Sequence, residues 1–281
     1  MTEKEIVLYV IIPFGITIVS GILFALCRWL KSRFSKERLK MKEIKSISDK
    51  DINGFIELYN NRIADDVRIC AEQIIDFIDP NPTDNVLHHL YVLKNKNKVV
   101  GFIKFMVSKD SNYLFIAYIA IDKDDSLAVN NGVKIMIDKI IKKFVKRKNG
   151  IENIYTEIER GTNNGYTTAL SKAISRRINN YNIPAYILKF DYVQPNMPDE
   201  NYGAIKEHIL TLIWISNKKI TKKFLTKRET INICKMIYKD IYLPSCKCSN
   251  CCESYSKYLD EICKRYNQNL NKKIELLPLN N

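Results

Sequence analysis

The sequence predicts a mixed α/β domain, a mostly antiparallel sheet flanked by helices, with one transmembrane helix before it and a small helical, cysteine-containing extension after it. Three observations predict this. Ile6 to Cys27 contains no charged residue. From Leu87 the apolar residues change from helical spacing to strand alternation. After Tyr113, strand-like and helix-like runs follow one another, as crossover connections require.

The uncharged run Ile6–Cys27 has 22 residues, which span about 33 Å as a helix, close to the hydrocarbon thickness of a bilayer. Arg28, Lys31, Arg33, Lys36, Arg38 and Lys40 follow at once, while only Lys4 lies before it. Excess basic residues stay on the cytoplasmic side, so the N-terminus is expected outside and the C-terminal domain in the cytosol. Trp29 falls where an interfacial aromatic belongs. A cleaved signal peptide fits less well, because the stretch before the run is not basic and the run is long. Residues 1–5 are then a short non-cytosolic tail, 6–28 the membrane helix, 29–45 a basic juxtamembrane segment, 46–216 the α/β domain and 217–281 a basic, helical, cysteine-rich region.

Hydrophobic residues make up 46% of the chain and charged residues 27%, which excludes a globally disordered protein. The net charge of +14 sits at the flanks. Residues 28–50 carry nine basic and three acidic residues, and residues 217–281 carry 14 basic and six acidic ones. Such flanks suit an anionic surface, or are simply solvated lysines. Interleaved Lys and Tyr in the C-terminal region could bind nucleic acid. Proximity to the bilayer makes anionic lipid headgroups the expected partner instead.

Ser48 and Asp51 resemble a capping box ahead of the helical run Ile52, Phe55, Ile56, Tyr59. A second helical stretch from Ile69 to Phe77 ends at Asp79-Pro80-Asn81-Pro82. Leu87–Leu93 and Val99–Val107 form a hairpin around a polar tip, with Gly101 at a bulge. Tyr113–Ile121 is a third strand and Asp122–Asp125 an acidic loop. A helix over Gly132–Val145, a strand over Ile151–Ile158, a helix over Gly165–Ile178 and a strand over Ala185–Tyr192 follow. Ile209–Ile215 is the last clear strand.

The hairpin carrying VVGFIKFMV, the strand YLFIAYIAID, the strand IENIYTEIE and the strand AYILKFDYV, in that order with helices between them, resemble the GNAT acetyltransferase superfamily over roughly Ile44–Ile215. The resemblance implies that acetyl-CoA binds where the fourth and fifth strands splay apart. The fourth-strand backbone, here Ile119 and Ile121, would hold the pantetheine. The loop into the next helix would hold the pyrophosphate, which places Asn130, Asn131, Gly132 and Lys134 there, with Asn163 after the fifth strand. Only one of the three key positions of the family's phosphate loop is matched, by Gly132. The implied activity is acyl transfer from acetyl-CoA to an amine by a membrane-anchored enzyme. The alternative is a non-catalytic scaffold of the same fold with a degenerate loop.

Strand alternation puts Tyr155, Glu157 and Glu159 on one face. A carboxylate of raised pKa can take the proton from an ammonium acceptor. Glu157 is the first candidate for that base and Glu159 the second, with Tyr118 on the neighbouring strand as a hydrogen-bond donor. The plainer alternative is that both carboxylates face solvent or pair with lysine. His88 and His89 alternate on a strand, so at most one faces a cleft. Cys246, Cys248, Cys251 and Cys252, close together in sequence, suit zinc or another soft metal. Reduced structural thiols or a lipid attachment site are the other readings.

Overall fold

The computed structural model describes residues 39–63, 69, 71–78, 85–147, 150–161, 168–196, 207–246 and 249–279. The expected membrane segment 6–28 lies outside them. Among the described residues no helix is long and apolar enough to cross a membrane.

Four strands form an antiparallel meander: β1 (Leu39–Ile44), β2 (Val86–Asn95), β3 (Lys98–Ser108) and β4 (Tyr113–Ile121). β5 (Asn153–Ile158) joins β4 in parallel. Beyond β5, β6 (Ala185–Leu188), β7 (Tyr192–Gln194), β8 (His208–Ser216), β9 (Phe224–Thr226) and β10 (Lys273–Pro278) complete the sheet. The spatial order is β1-β2-β3-β4-β5-β8-β6-β10-β9, with β7 on β8. This sheet, antiparallel except at β4–β5 and flanked by helices, is the mixed α/β architecture the sequence led us to expect.

Two boundaries move. β1 pairs with β2 from Leu39 to Ile44, so the domain begins before residue 46. A run of lysines hides this strand: Lys40 points to solvent, and Lys42 is held by Asp49 at 2.6 Å and Asp51 at 2.8 Å. Nor is the C-terminal region purely helical, since β10 inserts between β6 and β9. The single strand expected over Ala185–Tyr192 is two, β6 and β7, which pair with opposite ends of β8.

Among the described residues six helices cover the sheet: α1 (Ile52–Arg62), α2 (Ala71–Asp76), α3 (Ser126–Ile140), α4 (Ala169–Asn179), α5 (Lys227–Ile237) and α6 (Ser249–Asn269). Wider turns of π-type, Ile141–Val145 and Tyr238–Tyr242, extend α3 and α5. Asp51 stands at the start of α1 but caps nothing with its side chain, which instead accepts from Lys42 and Lys94. The lysines outcompete the helix amides because each offers a full charge.

Side-chain alternation assigns the two faces. Ile103, Phe105, Leu114, Ile154 and Ile213 pack on α3 and α4 through Met136, Ile140, Ile174 and Ile178. On the other face, α1 and α2 cover β2 and β3 through Phe55, Tyr59 and Ile74. The C-terminal elements cover β5 to β10 through Ile237, Tyr255 and Ile262. That second face is therefore roofed in two pieces, with a seam between them over β4 and β5.

α3 starts six residues earlier than expected at Gly132. Asp125 caps it, accepting the Ala128 N–H at 2.9 Å. Asn130, Asn131, Gly132 and Lys134 are consequently inside the helix and not in a loop before it. Gly132 is buried against the sheet, and a Cβ there would sit 2.8 Å from Ile121 Cγ2. Its missing side chain lets α3 approach β4. Gly132→Ala should thus lose on the order of 1 kcal/mol in urea unfolding, because overpacking outweighs the gain of about 1 kcal/mol in helix propensity.

Candidate active site at the fork between β4 and β5

β4 and β5 pair over only four rungs, Tyr113–Ile116 against Asn153–Thr156. The last rung is marked by the Thr156 hydroxyl, which donates to the Ile116 carbonyl at 3.1 Å. Beyond it β5 stays on β8, with Glu157 opposite Leu212 and Ile158 opposite Thr211. β4 stays on β3. Among the described residues no strand pairs with the β5-facing edge of Ala117–Ile121.

A bulge accounts for the parting. Lys104 pairs with Tyr118 and Phe105 with Ile116, which leaves Ala117 as an extra residue in β4. A bulge bends the strand that carries it and breaks the strict alternation of faces. Ala117 and Tyr118, though neighbours, both line a cavity under the seam, with Phe115, Glu157 and Tyr242. The cavity holds about 40 Å³.

Glu157 is the first residue of β5 after the last rung. Its side chain is largely buried, and both carboxylate oxygens are engaged. The Tyr192 hydroxyl donates to Oε1, and the Tyr242 hydroxyl donates to Oε2 at 2.5 Å. Burial pushes the carboxyl up to about 7, against the opposite pull of the two tyrosines. Sequence reasoning missed both tyrosines. Tyr192 comes from β7 and Tyr242 from the turn after α5, 35 and 85 residues away.

Tyr118 lines the same cavity, and burial pushes its phenol up to about 12 against hydrogen bonds with Tyr59 and the Ile69 backbone. Its ring packs edge-on against Tyr59, with centroids 5.4 Å apart. It is a wall of the site, while the donors to Glu157 are the other two tyrosines. Glu159 lies past the end of β5, exposed, and is not brought to the cavity. Ile119 and Ile121 lie on the half of β4 that parts from β5. Asn163 is outside the described residues.

Of the two histidines, His88 lines the cavity and stacks on Phe77, ring centroids 4.6 Å apart. His89 faces the other side and contacts Glu43 Oε1 at 2.8 Å. Lys104 also reaches the cavity, 4% exposed, with its ammonium 5.5 Å from the centre of the Phe77 ring. It has no carboxylate or hydrogen-bond acceptor among the described residues, and burial brings its pKa down to about 8.

The start of α3 is acidic. Asp125 caps it and also accepts from Asn95 at 2.7 Å. Asp122, with Lys98 at 2.8 Å and Arg62 at 2.9 Å, is held at about 2 chiefly by the Lys98 hydrogen bond. A phosphate seeks unfilled N–H groups and positive charge at a helix start. Here a carboxylate already fills that place, so the residues do not fit the pyrophosphate as the resemblance implied.

Among the described residues no three His, Cys, Asp or Glu side chains could hold a metal. Cys248 and the side chain of Cys251 lie outside the described residues. Cys246 is buried in the C-terminal core, and the Cys252 thiol donates to the Cys246 carbonyl at 3.1 Å. Both thiols are thus placed as structural groups.

No family model matches the chain, and no curated protein matches it. Among solved structures it is similar to a putative acetyltransferase of the GNAT family from Bacteroides thetaiotaomicron, with 19% identity and a TM-score of 0.48, covering 72% of this chain and 98% of that one. It is similar to a putative acetyltransferase from Salmonella typhimurium with its cofactor acetyl-CoA, at 12% identity and TM-score 0.42, covering 66% and 97%. A third is the catalytic domain of a Tetrahymena histone acetyltransferase in complex with coenzyme A, at 16% identity and TM-score 0.36, covering 66% and 96%.

Proposed function

We propose that the chain is an acyltransferase that moves an acyl group from a thioester to an amine. Acetyl-CoA is the donor the resemblance implies. Residues 6–28 would hold the domain at the cytosolic face of a membrane. One observation carries the reading: Glu157, a carboxyl pushed up to about 7, sits where two strands part. A base with that pKa is poised to act near neutral pH.

The chemistry needs little more. Glu157 takes a proton from the ammonium of the acceptor, directly or through a water. The amine nitrogen attacks the thioester carbonyl, so a C–N bond forms and the C–S bond breaks. The leaving thiolate takes the second proton of the attacking nitrogen. Tyr192 and Tyr242 hold the carboxylate in one orientation throughout. The unpaired edge of Ala117–Ile121 offers backbone N–H and C=O groups to an extended amide-bearing arm.

A second reading, a binding module that uses no CoA, is favoured by the acidic start of α3. Calorimetry of the full chain in detergent separates the two. Acetyl-CoA should release heat and raise the melting temperature, and mass spectrometry should find an acetylated amine. A folded chain giving neither heat nor thermal shift at millimolar acetyl-CoA would leave the binding module.

A further inference from the structure

The cavity beside Glu157 holds more polar equipment than proton removal needs. Lys104 brings a cation to it from β3, directly across from Tyr118, and no carboxylate answers that cation among the described residues. His88 Nδ1 and Gln194 Oε1 are buried without a hydrogen-bond partner. Both residues line the same space. Buried polar atoms are nearly always satisfied, and a buried ammonium is tolerated only where something compensates it. Three such groups at one cavity mark a place where a ligand completes the set.

The size of the space limits what completes it. A cavity of about 40 Å³ admits roughly three waters or one group of about three heavy atoms, the size of a carboxylate, so the rest of such a ligand must lie outside it, toward the fork. The walls sort the charges. Glu157 and its tyrosines stand at the fork, where the acceptor nitrogen must be. Lys104, His88 and Phe77 stand together on the wall formed by β2, β3 and the turn after α2. An ammonium is repelled by Lys104 and drawn to Glu157, while a carboxylate prefers the reverse.

We infer that this cavity is an acceptor subsite for an amine that also carries a carboxylate, an amino-acid-like substrate whose anionic end meets Lys104 while its nitrogen faces Glu157. His88, neutral through burial, offers a hydrogen bond to that carboxylate, and the Gln194 carbonyl oxygen accepts from the ammonium. The inference rests on the acyltransferase reading for the fate of the nitrogen, but not for the binding of the carboxylate.

The test compares matched small amines on the full chain, 4-aminobutyrate against butylamine. Binding is read by calorimetry and thermal shift without any donor, and transfer is read by mass spectrometry with acetyl-CoA. Aminobutyrate should bind at least tenfold tighter than butylamine. Lys104→Met and Lys104→Gln should each erase that preference by weakening aminobutyrate, while butylamine, no longer repelled, binds no more weakly than before. Removing a buried charge should not unfold either variant, and their melting curves check this. Equal affinity for the two amines in the native chain, or a preference that survives both substitutions, overturns the subsite. Should aminobutyrate bind in a Lys104-dependent way while no acetylated product forms with either amine, the subsite stands and the acyltransferase reading falls. Should butylamine alone be acetylated, the reverse holds.

Discussion

Glu157→Gln will sharply slow the proposed acyl transfer and make the protein harder to unfold above neutral pH. The two effects have one cause. In the folded chain the carboxyl titrates near 7, against 4.5 for an ordinary glutamate. Between those values the native state keeps a proton that the unfolded chain has lost. Native stability therefore falls as pH rises through this window, by up to about 3 kcal/mol at 1.36 kcal/mol per unit. Glutamine can accept from one tyrosine through its oxygen and donate to the other through its NH2, and it never ionises, so the variant keeps its stability. Urea unfolding should show the two proteins alike near pH 4 and the variant ahead by about 2 to 3 kcal/mol at pH 8. Loss of the base should lower kcat by a factor on the order of 10² to 10⁴. In the native chain, kcat/KM of the proposed transfer should rise with pH and level off above about 7. A buried carboxyl with only a structural role predicts the stability change without the rate change, so equal turnover by the variant would remove Glu157 from the mechanism.

How much of this was legible beforehand depends on what fixes each feature. Local alternation fixed the faces of β5, and Tyr155 and Glu157 do share one. The hairpin of β2 and β3, with its bulge beside Gly101, followed from a polar tip between two β-branched runs. The start of α3 was misplaced because glycine was read as a helix opener. In the structure glycine serves close packing on β4, and Asp125 four residues after the strand does the capping. The bulge at Ala117 had no local signal at all: it exists only as a mismatch of register between β3 and β4. Yet it parts β4 from β5 and brings Ala117 and Tyr118 to one wall. The donors to Glu157 were equally hidden, since a tyrosine says nothing of a partner 85 residues away. Lys104, one polar residue in an apolar strand, was the available clue to the cavity. A cation at a position where alternation demands burial needs a reason.

Truncation after Asn217 should prevent folding, because residues 217–281 are built into the core of the domain. The C-terminal region supplies more than half of the core over β5 to β10, including Leu225, Ile237, Tyr238, Tyr255, Ile262 and Leu276. Each such side chain contributes about 1.5 to 3 kcal/mol when buried. Ten of them exceed the whole net stability of an ordinary domain, roughly 5 to 15 kcal/mol. The loss is not only apolar. β6 would lose β10 from one edge, and the Ser175 hydroxyl would lose the Leu279 carbonyl that ties α4 to the chain end. Glu157 would lose Tyr242 and face water, so its carboxyl would return toward the ordinary range and the base would be gone. A chain of residues 39–279 should melt cooperatively by circular dichroism, while one of residues 39–217 should show no transition. A cooperative melt from the shorter chain would mean that the roof over Glu157 is an appendage. The raised carboxyl, the cavity beside it and the chemistry both support depend on that roof being part of the fold.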